Sequence, residues 1–182
     1  VEQLADLRQR PGGRELGAAA NGMSKATIEK LYKAFANLDG AGMEACYAET
    51  ARFDDEAFAL VGRRQVGAMW RMLCENVRSR GAQHFKLEVS NVRASAARGR
   101  AHWEAHYLFG PRARRVHNVI EAEFEFDDTG LILRHRDRFG FWRWARQAVG
   151  LPGLLLGWTP WLRTRVRGQA AQQLARYMEK MR

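Results

Sequence analysis

The chain has 182 residues, 46% of them apolar and 27% charged, which suits one globular domain with a real core. Cys46 and Cys74 form neither a CxxC spacing nor a cysteine-rich framework, so a reducing, cytoplasmic setting is the simpler expectation, with a bridge between the two left open. The formal charge is +10, of which eleven Arg or Lys less two Asp or Glu between Arg134 and Arg182 supply +9. That asymmetry points to an anionic partner or surface without naming it.

Residues 1–22 hold three acids, three arginines, Pro11 and several glycines, without the apolar run of a secretory signal. They are expected to form a flexible segment, followed by the main domain over 23–141. Ser24 reads as an N-cap, and apolar residues at 28, 31, 32, 35 and 38 follow at helical spacing. After the break DGAG, MEACYAE predicts a second helix, and ARFDDEAFALVG a strand and loop. Val66, Met69, Trp70, Leu73 and Val77 give a third helix over Arg64–Val77 one broad apolar face.

From His84 the period becomes two. HFKLEVSNVRAS, GRAHWEAHYLFG, RRVHNVIEAEFEFDD and LILRHRDRF predict four strands, the last two joined by the turn DDTG. Helices followed by a long antiparallel meander make an α+β domain. Strict alternation puts Leu131, Leu133, His135, Asp137 and Phe139 on one face of the final strand. It puts Ile132, Arg134, Arg136 and Arg138 on the other, opposite the row Glu121, Glu123, Glu125. Beyond Gly140 the pattern turns helical again: FWRWARQAV, then the broken apolar run GLPGLLLGWTPWL, too short to span a membrane, then a helix with the stripe Val166, Ala170, Leu174, Met178. Residues 142–182 thus form a helical, basic, Trp-rich extension packed on the same domain.

The order of these elements, with the opening helix carrying Leu31, Tyr32 and Phe35, the run CYAETARFDD, the helix GRRQVGAMWRML and the hairpin VIEAEFEFDDTGLILRHRDRF, resembles the SnoaL-like branch of the nuclear transport factor 2-like superfamily. This ketosteroid isomerase-like and polyketide cyclase-like group implies a cone: a strongly curved antiparallel sheet wrapped on N-terminal helices, with a pocket at its open end. Its members include isomerases, cyclases, dehydratases, epoxide hydrolases and non-catalytic proteins, so the resemblance implies a pocket for a small apolar or carbonyl-containing molecule rather than one reaction.

By that resemblance Asp55 matches the catalytic base of the isomerases, a carboxylate whose pKa an apolar pocket can raise. The rest of the isomerase pattern breaks. The oxyanion tyrosine matches Leu31, one residue before Tyr32, and the second acid matches Ala122, so steroid isomerase activity does not carry over. His135 and Asp137, on the predicted inner face, complete a candidate acid–base set with Asp55, or form a structural pair closing the cone. Asn118 shares the apolar face of its strand and either binds a ligand or satisfies neighbouring backbone. Tyr32, Trp70, Phe124 and Trp142 are the other expected ligand contacts.

His102, Glu104 and His106 share a strand face, but neighbours nearly 7 Å apart rarely converge on one ion, so no metal is expected, and no cofactor. No phosphate-cradling glycine motif, nucleophile elbow or nucleic-acid motif occurs, and no specific nucleic-acid partner is expected. Trp142, Trp144, Trp158 and Trp161 suit a pocket lid, a homodimer face or a weak membrane-surface contact. Three readings therefore stand: an isomerase, cyclase or dehydratase; a non-catalytic binder of an apolar ligand; and an assembly module using the extension.

Overall fold

The structure, a computed structural model, describes residues 11–181. Helix α1 runs from Pro11 to Ala36, so it begins well before Ser24 and gives Pro11–Gly22 a helical backbone in place of the loose segment expected there. Proline is tolerated at a helix start, where its missing N–H has no partner to lose. Residues 1–10 lie outside the described residues. Ser24 is not a cap: buried in mid-helix, it donates its hydroxyl to the Ala96 carbonyl (2.9 Å), while Thr27 donates to the Gly130 carbonyl (2.8 Å). The two hydroxyls pin α1 across the turns at one end of the sheet.

Helix α2 is short, Gly40–Glu44, and is capped by Asp39, which accepts from Gly42 N at 2.9 Å. The expected second helix over MEACYAE therefore stops early, and strand β1 takes over at Tyr47 and runs to Asp54. Strand β2 is Ala59–Val61 and helix α3 is Arg63–Gly81. Gly62 precedes α3 at φ 90°, a conformation open to glycine. Arg71 on α3 reaches Glu44 on α2 at 2.7 Å and ties the two helices together.

Strands β3 (Lys86–Ala94), β4 (Arg98–Phe109), β5 (Arg114–Phe126) and β6 (Ile132–Phe139) pair antiparallel in sequence order. The sheet order is β2-β1-β6-β5-β4-β3, with β1 parallel to β6. The meander is thus antiparallel as expected, but the whole sheet is mixed. Helix α3 and the first strands of the meander supply the long connection that parallel neighbours need.

One alternation differs from the strict period. The β5–β6 register shifts between Glu125 and Phe126, so that Phe126 pairs with Ile132 while Glu125 pairs with Arg134. Leu133 is the extra residue of this bulge, and Ile132 turns into the core in its place, while His135 and Asp137 still face inward.

The main core lies between the inner sheet face and α1–α3, with Ile28, Leu31, Phe53, Met69, Ile120 and Phe124 among its buried members. Helices α4 (Phe141–Ala148), α5 (Leu151–Leu156) and α6 (Pro160–Lys180) close one end. Val116, Phe141, Trp144, Ala145, Ala148 and Leu162 form a second small cluster there, and Leu174 of α6 joins the main core. No helix among the described residues is long and apolar enough to cross a membrane. Curved sheet, N-terminal helices and C-terminal helices together make an α+β cone.

Candidate functional site

A cavity of about 430 Å³ opens between the inner sheet face, α3 and the C-terminal helices. Phe53, Trp70, Trp103, Ile120 and Phe139 give it apolar walls, and Asp55, Tyr107, Asn118 and Asp137 bring polar groups to it. Trp144, Val149 and Val166 line it from the C-terminal side. This is the usual make-up of a small-molecule site: mostly apolar, with few polar groups.

Asp137 reaches the cavity from β6, and its Oδ1 accepts two donors. His135 Nε2 lies 3.0 Å away and Trp103 Nε1 3.3 Å away. His135 is 0% exposed, and on its far side Nδ1 meets the Tyr47 hydroxyl at 2.7 Å, which in turn accepts from Trp70 Nε1 at 2.9 Å. An indole N–H only donates, so the Tyr47 oxygen accepts from Trp70 and the Asp137 oxygen accepts from Trp103, with His135 bridging the two oxygens through its ring nitrogens. The other carboxylate oxygen, Oδ2, has no hydrogen-bond partner among the described residues. Phe124 packs on the imidazole at 4.3 Å between ring centres, and Phe53 meets it edge-on at 5.0 Å, so the histidine is sealed from the cavity.

Asp55 sits in the loop between β1 and β2. Its Oδ1 accepts from the backbone N–H groups of Ala57 (2.7 Å) and Phe58 (2.6 Å). Burial nevertheless dominates and pushes its pKa up to about 7, with the charges of Asp137 and Asp54 adding to the rise. Helix α6 fixes this loop: Arg167 donates to the Glu56 carbonyl (2.9 Å) and the Asp55 carbonyl (3.1 Å), and Arg163 pairs with Glu56 at 3.2 Å. Part of the basic charge of the extension is thus spent on holding the loop. Tyr107 accepts from Trp144 Nε1 at 3.0 Å, which leaves its own O–H free to donate; burial, with Asp55 nearby, raises its pKa to about 12.

The structure brings Asp55, Asp137, Asn118 and Trp70 to one cavity. It places His135 behind the wall, as the positioning partner of Asp137. Phe124 belongs to the core on the far side of that histidine. Tyr32 is also behind the wall, packed on Trp103 and Phe124, and its hydroxyl is the one buried side-chain polar atom without a partner among the described residues. Trp142 points away, 43% exposed, with its indole N–H on the Leu154 carbonyl (3.2 Å); Trp144, two residues on, is the lining tryptophan. Tyr47, Trp103 and Tyr107 were not singled out from sequence. The alternation of HWEAHY did place Trp103 and Tyr107 on one face, but Tyr47 fell in a segment read as helix.

On the outer sheet face, His102 bridges Glu121 (2.6 Å) and Glu104 (3.2 Å), and His117 meets Glu104 at 2.6 Å. His106 stacks on His117 at 4.1 Å. The acids and imidazoles consume one another in a ladder, and no metal-holding group occurs among the described residues. Cys46 and Cys74 are free and buried.

Several solved structures share the fold. An LEH-like epoxide hydrolase of M. tuberculosis is 22% identical with a TM-score of 0.54, over 75% of this chain and 95% of its own. A polyketide cyclase-like protein of Xanthomonas campestris pv. campestris is 17% identical with a TM-score of 0.54, over 71% and 98%. SalBIII, an epoxide hydrolase/cyclase-like enzyme of pyran ring formation in salinomycin, is 16% identical with a TM-score of 0.51, over 64% and 90%. At these identities the likeness carries the fold alone. Among proteins of curated function, none matches this chain. The sequence pattern of the SnoaL-like domain matches residues 28–135, more than half of the chain, and with the cone and its strand order in place the chain belongs to the SnoaL-like family.

Proposed function

We propose that the protein is an acid–base enzyme acting on a small apolar molecule that carries a carbonyl or epoxide oxygen, in reactions of the isomerase, cyclase or dehydratase kind. One observation carries this reading: two carboxylates share an apolar cavity in unlike environments, one buried toward neutrality and the other fed by two N–H donors. Such pairs divide acid and base roles. Asp137 Oδ2, free of protein partners, takes a proton from the substrate or from a water beside it. Asp55, protonated below about pH 7, donates to the oxygen on which charge develops. Tyr107 O–H and the Asn118 amide are the neighbouring groups able to orient that oxygen. His135 and Tyr47 touch no substrate and hold the Asp137 carboxylate in place.

The test is turnover of two apolar probes, a cyclic ketone followed by deuterium exchange beside its carbonyl and a cyclic epoxide followed by diol formation. Asp137→Asn keeps an oxygen for both donors, so it should fold normally yet lose about a hundredfold or more in rate. Turnover should fall as pH rises through about 7 while Asp55 loses its proton. Wild-type rates in Asp137→Asn would overturn the assignment. The sealed histidine favours one other reading, a non-catalytic binder of apolar ligands; it predicts probe binding without turnover, undiminished in Asp137→Asn.

A further inference from the structure

Helix α5 is built inside out. Its contact with α4 is made through small residues, Gly153 and Gly157 against Ala145, while α4 itself buries Phe141 and Trp144. A Cβ on Gly153 would run into the Ala145 carbonyl oxygen, and one on Gly157 into the Gly153 carbonyl oxygen. The large side chains of α5 and of the turn that follows it face the other way. Leu151 is 72% exposed and Trp158 75% exposed, and Leu154, Leu155, Leu156 and Trp161 are exposed beside them. The close glycine packing leaves no inward space for these leucines, so their exposure is fixed by the backbone.

The charges that α4, α5 and α6 themselves carry beside the patch have one sign up to Met178. Arg146 lies over the ring of exposed Trp142 at 5.0 Å, and Arg165 over that of exposed Trp161 at 5.6 Å. No acidic residue occurs from Phe141 to Met178. Each candidate occupant can be judged against this chemistry. A second copy docked through the same patch would set arginine against arginine. A nucleic acid would use the cations and leave the leucines in water. An anionic bilayer uses both: phosphates for the guanidiniums, the headgroup boundary for the indoles, acyl chains for the leucines.

We infer that α4, α5 and the start of α6 form a docking face for anionic phospholipid bilayers, with Leu154, Leu155 and Trp158 entering the headgroup boundary. The inference does not depend on the acid–base reading. The inner sides of the same helices line the cavity through Trp144, Val149 and Val166, so docking sets the cap of the cavity against the phase in which apolar molecules dissolve.

The experiment is co-sedimentation of the full chain with phosphatidylcholine vesicles, with and without phosphatidylglycerol, together with tryptophan emission. The wild type should bind the anionic vesicles, shift its emission to the blue and detach as salt rises. The double variant Leu155→Ser, Trp158→Ser changes only exposed side chains. It should keep the wild-type melting temperature and lose about tenfold or more in vesicle binding. Three results would overturn the inference: no binding to anionic vesicles, binding that the double variant leaves intact, or a solution dimer that the double variant dissociates while vesicles are ignored. Duplex nucleic acid serves as a competitor; capture of the chain by nucleic acid alone, with no vesicle binding, would likewise overturn it.

Discussion

On the inner face of β6, His135 and Asp137 are buried, and each polar group has a fixed partner: Tyr47 with His135, and His135 and Trp103 with Asp137. On the outer face of the same strand, Arg136 meets Asp54 at 3.3 Å and Arg138 meets Glu123 at 3.2 Å, both in contact with water. The strand therefore compares two kinds of polar pairing within a few residues. Inside, no water stands ready to replace a lost partner, so the pairing is all or nothing. Outside, water and neighbouring charges substitute freely.

The largest break in this comparison should come from Asp137→Ala. It strands the His135 and Trp103 N–H donors in the core and should cost about 2–5 kcal/mol of folding stability, read from urea unfolding midpoints. A cost within 1 kcal/mol would mean that water enters the network and the inner face behaves like the outer one.

Asp55→Asn sharpens the comparison through pH. Burial pushes the Asp55 pKa up to about 7, above the usual carboxylate range, so the folded state binds the proton more tightly than the unfolded chain. The wild type is thus unpenalised below about pH 4 and loses stability as pH rises through 7. Asparagine keeps the oxygen that Ala57 and Phe58 donate to and never ionises. Its stability advantage should be absent at pH 4 and grow to roughly 2–4 kcal/mol by pH 8, following 1.36 kcal/mol per pKa unit less solvent relaxation. A difference independent of pH would show that the Asp55 pKa is not raised.

The smallest effect belongs to the outer face. Arg136→Gln should change stability by at most about 1 kcal/mol, and less at high salt. A larger loss would make the Arg136–Asp54 pair a structural clamp on β1.

Much of the sheet was legible because period two is a strong signal. The inward placement of His135, Asp137 and Asn118 followed from it, as did the outward arginines opposite glutamates. Three features were not legible. The bulge at Leu133 depends on pairing with β5, and nothing in LILRHRDRF marks the slip. Tyr47 lies in a short run where helical and strand spacing coincide, and its strand is set by parallel pairing with β6, far along the chain. Ser24 matched a cap locally, but its hydroxyl is taken by the Ala96 carbonyl in a turn that sequence could not place beside it. In the site, Asp55 was legible through its family match. What encloses it was not, because the arginines of α6 read only as net charge.

Arg167, with its guanidinium on the carbonyls of Asp55 and Glu56, ties the basic extension to the loop whose burial raises the Asp55 pKa. The segment that sets how tightly the Asp55 loop is shut lies wholly beyond residues 28–135, where the family pattern ends. Change in that appendage can therefore retune the proton affinity of the cavity while the sheet, its strand order and the His135–Asp137 pair stay untouched. Tails that differ on the same cone should shift the Asp55 pKa, and grafting one tail onto another cone becomes a way to move it.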